Sequence, residues 1–288
     1  MEKIIVIVGP TGSGKTKLGI NIAKNINGVL INADAFQVYK EITIGTAKAL
    51  KEELDNVQIY NNDCISIYDE WDIKIFQEKA NEIIKEVIKQ KKVPIIVGGS
   101  NLYVEALIYN YDLSAQPRDD RFEKLSNEEL YQKISDIDKE TAKTLQIQNR
   151  RRMIRALQIL ENNEAFRKKN EPLYDFLLIK PYYEKEILIE KIKKNVIKMI
   201  GNGWEEEVIS LYKKDPSVIN TNAFKAIGYL TIINNYLNNE KTDIALITKK
   251  TCQYAKRQIT WIKNRFCNAY VSIDFEQTLE KIKTFLSN

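Results

Sequence analysis

Short apolar runs alternate along the chain with longer segments in which apolar residues recur every three to four positions. The runs cover 4–8, 29–31, 93–97, 176–179 and 270–273. Segments of helical periodicity lie between them, for example 75–91 and 187–200. Buried strands that alternate with helices are typical of a parallel sheet covered on both faces. The pattern therefore predicts an α/β fold.

The gap between the third and fourth runs is too long for a single crossover helix. Residues 111–175 are rich in charged and helix-forming residues and contain no convincing strand pattern. We therefore predict a helical insertion domain over 111–175 and an α/β core made of 1–110 and 176–288. The insertion is expected over the carboxyl ends of the strands, where ligands bind in open α/β sheets.

A glycine-rich segment follows the first apolar run directly and leads into a helical pattern. It reads Gly-Pro-Thr-Gly-Ser-Gly-Lys-Thr, a complete G-x-x-x-x-G-K-[ST] loop. Backbone N–H groups and the helix N-terminus of such a loop bind phosphate, while Lys15 adds a positive charge and Thr16 a hydroxyl for Mg²⁺. The loop predicts a bound di- or triphosphate without saying which. The predicted phosphate-binding residues are Gly9, Pro10, Thr11, Gly12, Ser13, Gly14, Lys15 and Thr16. The fold class is accordingly a P-loop NTPase-like parallel sheet.

The chain contains no histidine, so Ser-His and Cys-His nucleophiles are excluded. Proton transfer is left to Asp, Glu or Lys. Asp34 follows the second apolar run, at the strand end expected beside the phosphate loop, and is the best candidate general base. The alternative is that Asp34 only caps a turn.

Composition limits the class of protein further. Hydrophobic residues make up 44% of the chain, enough for a substantial core, but no apolar stretch approaches the roughly 18 residues that span a bilayer. The first residues do not resemble a signal peptide. Three widely spaced cysteines form neither a disulfide framework nor a zinc site. These features predict a cytoplasmic protein that does not bind membranes, and we expect a monomer.

Six segments, in this order, resemble the tRNA dimethylallyltransferase family, also called isopentenyl-diphosphate:tRNA transferases. They extend over nearly the whole chain, and six motifs in register are far more specific than any one of them. The segments are GPTGSGKT at 9–16, DAFQVYKEITIGTAK at 34–48, GGSNLY at 98–103, RRRMIRALQIL at 150–160, AIGY at 226–229 and QYAKRQITW at 253–261.

The resemblance implies a reaction. A dimethylallyl group moves from dimethylallyl diphosphate to N6 of the adenosine 3′ to the anticodon, and no ATP is consumed. The phosphate loop then holds the diphosphate leaving group with Mg²⁺. By the same resemblance Asp34 accepts the proton or hydrogen bond of the amine, and Thr16 contacts the bridging side of the diphosphate. Lys225 stands where family members carry glutamine or arginine and is expected to touch the diphosphate.

The resemblance also implies contacts to the anticodon stem-loop of tRNA. On a helix Arg151, Arg152 and Arg155 share one face, suited to phosphate-backbone binding. For these arginines the alternative is an ordinary solvated surface. Gln37, Ser100 and Arg121 are also expected to contact the RNA, and for each of them ordinary surface or turn hydrogen bonding is the alternative. Gln253, Lys256, Arg257 and Thr260 form a polar stripe that could be a solvated surface, but the resemblance places it near the diphosphate. The expected tRNA-binding residues are Asp34, Ala35, Phe36, Gln37, Ser100, Arg121, Arg151, Arg152 and Arg155.

Two other functions remain open at this point. A P-loop kinase of a small metabolite or nucleoside would share the sheet, the loop and an acid after the second strand, and ATP-dependent phosphoryl transfer would identify it. A non-catalytic RNA-binding protein would bind tRNA tightly without turnover. The intact Lys15, Thr16 and Asp34 argue against that second alternative.

Overall fold

Six parallel strands form one sheet in the computed structural model, which describes residues 1–111, 113, 120–161 and 171–288. Their order across the sheet is β3-β2-β4-β1-β5-β6. The strands are β1 (Lys3–Val8), β2 (Gly28–Asn32), β3 (Ile59–Tyr60), β4 (Val93–Gly98), β5 (Asp175–Pro181) and β6 (Tyr270–Ser272). The predicted parallel α/β sheet is confirmed.

The helices are numbered in chain order. Outside the insertion they are α1 (Lys15–Asn25), α2 (Lys51–Leu54), α3 (Ile73–Lys89), α4 (Asn101–Ile108), α9 (Lys185–Gly201), α10 (Trp204–Lys214), α11 (Tyr229–Leu237), α12 (Ile244–Arg265) and α13 (Phe275–Ser287). Short 3₁₀ helices cover Pro216–Asn220 and Ala223–Lys225. Within the insertion they are α5 (Asp120–Glu123), α6 (Asn127–Ile137), α7 (Lys139–Thr144) and α8 (Arg150–Glu161).

Both faces of the sheet are buried, as alternation along the central strand β1 makes clear. Ile4, Val6 and Val8 pack into one hydrophobic cluster, which includes residues of α3, α4, α11 and α12. Ile5 and Ile7 point the other way, into a second cluster with residues of α1 and α13. Successive side chains of a strand point to opposite faces, so a continuous apolar run requires helices on both sides.

Strand β3 was not predicted from the sequence. It consists only of Ile59 and Tyr60, which pair in parallel with Leu30 and Ile31 of β2. Two residues at the edge of a sheet leave no periodic signal for a sequence pattern to detect. The other predicted strands and both named helical segments are present, with ends that differ by one or two residues.

The chain separates into two compact units. One consists of Met1–Asn110 and Pro172–Asn288 and contains the sheet, and the other is Tyr111–Glu171. Strand β5 begins at Asp175, one residue inside the range predicted for the insertion. Part of the predicted insertion lies outside the described residues. The described part of the smaller unit contains α5 to α8 around a core of its own. That core includes Phe122, Leu130, Ile134, Met153 and Leu157.

No helix among the described residues is long and apolar enough to cross a membrane. The three cysteines, at 64, 252 and 267, are free thiols.

Candidate active site

The phosphate loop joins β1 to α1 and requires glycine at two positions. Gly12 and Gly14 have φ angles of 80° and 86°, in the left-handed region that residues with a Cβ rarely adopt. The Ser13 N–H donates to the Pro10 carbonyl at 3.2 Å, and Leu18 N–H donates to the Gly14 carbonyl at 3.0 Å. The loop thus turns sharply into the first turn of α1, whose N-terminal N–H groups lie at its end.

A polar cavity, which we call the phosphate cavity, opens in front of this loop. Thr11, Gly12, Gly14, Lys15 and Thr16 line it. The remaining loop residues, Gly9, Pro10 and Ser13, are not among its lining residues. A Cβ on Gly9 would lie only 2.6 Å from Ser13 Oγ, an atom that is buried and has no hydrogen-bond partner among the described residues. These three residues thus contribute to the shape of the loop.

Lys15 is the central cation of the phosphate cavity. Burial lowers the pKa of its ammonium group, and the nearby carboxylate of Asp34 acts in the opposite direction. The Lys15 side chain packs against Gly99 at the end of β4, where an added Cβ would be 3.5 Å from Lys15 Nζ. A desolvated cation of this kind interacts strongly with an anion that enters the cavity.

Lys191 of α9 is a second cation at the loop. A Cβ on Gly14 would be 3.8 Å from its Nζ atom, and Lys191 also lines the phosphate cavity. Helix α9 is held there because Leu188 and Ile192 pack onto Gly12.

Asp34 lies just beyond the end of β2, where it both caps a turn and faces the cavities. Its Oδ1 accepts hydrogen bonds from the N–H groups of Phe36 at 2.9 Å and Gln37 at 3.3 Å. No hydrogen bond to Oδ2 is present among the described residues. One oxygen therefore orients the carboxyl group, and the other is available to a ligand.

A second, apolar cavity of about 320 Å³ adjoins the phosphate cavity. We call it the apolar cavity, and its large hydrophobic lining residues are Phe36, Ile192, Val196, Met199, Trp204 and Ile227. Asp34, Thr11, Thr46 and Tyr254 line both cavities. A ligand with an anionic end and a small hydrocarbon end can therefore occupy both, with its junction beside Asp34.

Glu207 of α10 holds the loop that forms one wall of the two cavities. Its carboxylate accepts the N–H groups of Thr43, Ile44 and Gly45 at 2.7, 2.8 and 3.2 Å. The Tyr229 hydroxyl donates to the same carboxylate at 2.7 Å, and burial together with Glu207 raises the pKa of Tyr229 well above its usual value. Gly45 has no room for a side chain, since a Cβ would lie 2.0 Å from Trp204 Nε1.

Tyr254 of α12 contributes a hydroxyl close to the same junction. It donates to the Gly99 carbonyl at a long distance of 3.4 Å. Burial, and secondarily the Asp34 carboxylate, raise the pKa of Tyr254 above its ordinary value. The hydroxyl therefore stays protonated near neutral pH and serves as a hydrogen-bond donor.

Three of the expected tRNA-binding residues, Ala35, Gln37 and Ser100, are hydrogen-bonded within the protein. Ser100 Oγ accepts the Ala35 N–H at 3.1 Å. Gln37 uses both ends of its amide: Oε1 accepts from Asn32 Nδ2 at 3.0 Å, and Nε2 donates to the Thr46 carbonyl at 2.9 Å. Their contacts to RNA remain predictions, but these bonds fix their positions around Asp34.

Lys225 lies at the mouth of the apolar cavity with an exposed side chain. Its Nζ donates to Asn222 Oδ1 at 2.5 Å. Arg257 lines the same cavity, and its guanidinium carbon is 5.8 Å from the centre of the Tyr254 ring. Both cations are at positions from which they can reach an anion, and their role in binding stays a prediction.

The arginines of α8 differ in their surroundings. Arg150 donates to the carbonyls of Phe122, Leu125 and Glu123 at 3.2, 2.6 and 2.7 Å, so it stabilises the smaller unit. Arg151 and Arg152 are exposed and Arg155 is half-buried, opposite the buried Met153 and Leu157. Arg121 is 76% exposed, with Glu161 3.9 Å away. Three cations of α8 are therefore presented on one face.

Most of the polar stripe predicted on α12 does not line the site: Gln253, Lys256 and Thr260 are exposed and line neither cavity. Apart from Arg257, the residues of α12 that do line the cavities were missed from the sequence. The neighbouring face of α12, with Thr251, Tyr254 and Gln258, lines them instead. The buried Gln258 was the available signal, because this glutamine lies one helical turn from both Ala255 and Ile262 of the apolar face. Nothing local in the sequence indicated the roles of Lys191 or Glu207.

Fold and site together define a P-loop α/β protein in which a cavity at the phosphate loop adjoins a second, more apolar cavity. The model of the IPP transferase family matches residues 37–265. The chain belongs to this family, and the family predicted from its motifs is confirmed.

Proteins of similar sequence align with nearly the full length of the chain. The chain is 40% identical to a tRNA dimethylallyltransferase of Malacoplasma penetrans over 297 aligned positions, which cover 100% of the chain and 99% of the relative. It is 35% identical to a tRNA dimethylallyltransferase of Bacillus cytotoxicus, with 98% and 94% covered.

Solved structures support the same assignment. The full-length tRNA isopentenylpyrophosphate transferase of Bacillus halodurans has a TM-score of 0.74 at 31% identity, covering 100% of this chain and 96% of that one. A eukaryotic dimethylallyltransferase acting on tRNA has a TM-score of 0.78 at 26% identity, covering 91% and 70%.

Proposed function

We propose that this enzyme is a tRNA prenyltransferase that moves the dimethylallyl group of dimethylallyl diphosphate to N6 of the adenosine 3′ to the anticodon. The observation that carries the proposal is the junction of the phosphate cavity and the apolar cavity at Asp34. The relatives, which are named as tRNA dimethylallyltransferases, support the same reaction.

The proposed reaction breaks the bond between the allylic carbon and the diphosphate oxygen, whose electron pair leaves with the diphosphate. The N6 lone pair forms the new bond to that carbon, and the amine proton passes to the Asp34 carboxylate. An exocyclic adenine amine is a weak nucleophile, so orientation and stabilisation of the leaving group are the main tasks. Lys15, Lys191 and the loop N–H groups stabilise the departing negative charge.

We propose a Mg²⁺ ion that is shared with the substrate, because Thr16 lines the phosphate cavity and offers a single hydroxyl ligand. The described residues contain no cluster of three or more His, Cys, Asp or Glu side chains that could hold a metal alone. Magnesium is commonly bound by few protein ligands together with substrate phosphates. Thr16 and the diphosphate oxygens would hold the ion, which would neutralise charge on the leaving group.

The proposed partner is the anticodon stem-loop of tRNA. The exposed Arg151 and Arg152, with Arg155 beside them, are suited to its phosphate backbone, and Arg121 offers a further cation in the same unit. The adenosine must leave its stack to reach Asp34. Ala35, Phe36, Gln37 and Ser100 surround Asp34 and are proposed to contact that nucleotide. A monomeric state and a cytoplasmic location also remain predictions.

A kinase would bind a nucleoside triphosphate at the same phosphate loop, but such a ligand fits the apolar cavity less well. A nucleoside triphosphate extends from its phosphates into a polar sugar, whereas Ile192, Val196 and Met199 suit a five-carbon hydrocarbon. The apolar cavity therefore favours an allylic diphosphate over ATP.

The test is to incubate the protein with Mg²⁺, unmodified tRNA and either dimethylallyl diphosphate or ATP. Nucleosides from the digested tRNA are then analysed by mass spectrometry. We expect an adenosine heavier by one dimethylallyl group with the allylic diphosphate and no ATP. Absence of this product, together with ATP-dependent phosphorylation of a small metabolite, would identify a kinase instead.

A further inference from the structure

Gln258 is a buried polar residue in the interior of α12, only 4% exposed. Both polar atoms of its side chain bind backbone groups of other elements. Oε1 accepts the Thr11 N–H at 2.8 Å, and Nε2 donates to the Gly99 carbonyl at 2.9 Å. One amide therefore cross-links the phosphate loop to the segment after β4.

The first of these bonds fixes the phosphate loop. Thr11 lines both cavities, and its N–H is committed to Gln258, so its peptide cannot rotate without losing that bond. The N–H groups that follow Thr11 are held in their direction by the same constraint. Fixed donors bind an anion better than mobile ones because no reorganisation is needed on binding.

The second bond concerns the placement of Lys15. Gln258 and Lys15 pack against the same glycine: a Cβ on Gly99 would lie 2.5 Å from Gln258 Nε2 and 3.5 Å from Lys15 Nζ. Displacement of the Gly99 peptide would move the surface on which the Lys15 ammonium rests. The backbone of α12 is anchored here as well, since Asn101 Nδ2 donates to the Gln258 carbonyl at 3.3 Å.

We infer that Gln258 is a positioning residue that sets the affinity of the phosphate cavity for a diphosphate group, because it holds the phosphate loop against the end of β4. This inference rests on the proposed function for the identity of the anion. Gln258 does not take part in the transfer of the proton or the prenyl group. Its substitution should therefore weaken binding of the diphosphate more than it slows the chemical step.

Two substitutions of Gln258 separate positioning from charge. Gln258→Glu keeps an acceptor for the Thr11 N–H but has no donor for the Gly99 carbonyl, and it adds negative charge near Lys15. Gln258→Met has a similar length, adds no charge and removes both hydrogen bonds. The control is Asn264→Asp, the same amide-to-carboxylate change at an exposed position of α12 that lines neither cavity.

The measurement is the Kd for inorganic diphosphate in the presence of Mg²⁺, by titration calorimetry, with circular dichroism to verify folding. Both Gln258 variants should bind diphosphate about tenfold more weakly or worse, as expected for loss of buried hydrogen bonds. In steady-state assays the KM for dimethylallyl diphosphate should rise more than kcat falls. Asn264→Asp should behave as the wild type, and tRNA affinity should be unchanged in all variants.

Wild-type affinity for diphosphate in folded Gln258→Met would overturn the inference. If only Gln258→Glu loses affinity, the added charge is the cause and the positioning role is wrong. If Gln258→Glu does not fold, Gln258→Met decides alone. A wild-type protein that fails to bind diphosphate would instead contradict the proposed function, a result distinct from equal binding by all variants.

Discussion

The phosphate cavity and helix α8 both concentrate positive charge, but they hold it in different ways. Lys15 is desolvated, packed against Gly99 and close to Asp34. Arg151 and Arg152 extend into solvent from a helix whose opposite face is buried. A desolvated cation acts on a fixed ligand over a short distance, whereas exposed cations act on a polyanion through a field that salt screens. The comparison predicts that salt will affect the two kinds of binding differently.

The largest effect on binding is expected from joint substitution of Arg151, Arg152 and Arg155 by alanine. The affinity for tRNA should fall about a hundredfold at moderate salt, and the slope of log affinity against log salt should become shallower by about 2. Filter binding over a salt series measures both. Diphosphate affinity should not change.

The matched control replaces Lys124, Lys133 and Lys139, three exposed cations of the same unit, by alanine. This variant has the same net charge as the arginine variant. Equal losses of tRNA affinity in the two variants would show that total charge, rather than the arginine face of α8, determines binding.

Lys15→Met tests the buried cation of the phosphate cavity. Loss of a charge-assisted contact to phosphate should weaken diphosphate binding about thirtyfold near neutral pH. Because burial lowers the pKa of Lys15, its ammonium group loses its proton at a lower pH than an ordinary lysine, whose pKa is about 10.4.

The ratio of wild-type to Lys15→Met affinity should therefore fall as the pH rises from about 7 toward about 10. The ratio is the useful quantity, since the ionisation of the diphosphate itself affects both proteins equally. A ratio that stays constant over this range would contradict the assignment of Lys15 as the titrating cation.

Glu207→Gln addresses the loop wall rather than either group of cations. The amide keeps one acceptor but points an N–H₂ group at backbone donors, so about 2 kcal/mol of the free energy of unfolding should be lost. Urea denaturation measures this change. Glu206→Gln, at an exposed neighbouring position, is the control and should be nearly neutral. An equal stability of both variants would refute the role of Glu207 in holding residues 43–45.

The smallest effect is expected for Lys225→Ala. Lys225 is exposed and pairs with Asn222, so its attraction to the diphosphate is screened by water. The KM for dimethylallyl diphosphate should rise about threefold, and the rise should disappear at high salt. A salt-independent loss would place Lys225 with Lys15 as a desolvated contact.

The phosphate loop could be predicted because its residues are contiguous in the sequence, with two glycines and Lys15 between β1 and α1. The residues that were missed come from distant elements: Glu207 reaches the loop at 43–45 from α10, and Gln258 reaches Thr11 from α12. Only the folded chain brings them together. The sequence also does not distinguish the roles of neighbouring arginines. Arg150 binds carbonyl groups of its own unit, whereas Arg151 is exposed.

The most direct test of the account measures single-turnover prenyl transfer by Asp34→Asn, together with its affinities for diphosphate and tRNA. Asparagine keeps an acceptor for the N–H groups of Phe36 and Gln37, so the turn should survive. The account predicts transfer that is slower by about 10² to 10⁴, as for loss of a general base, with both affinities close to those of the wild type. Near-normal transfer by this variant would contradict the role of Asp34 at the junction of the two cavities.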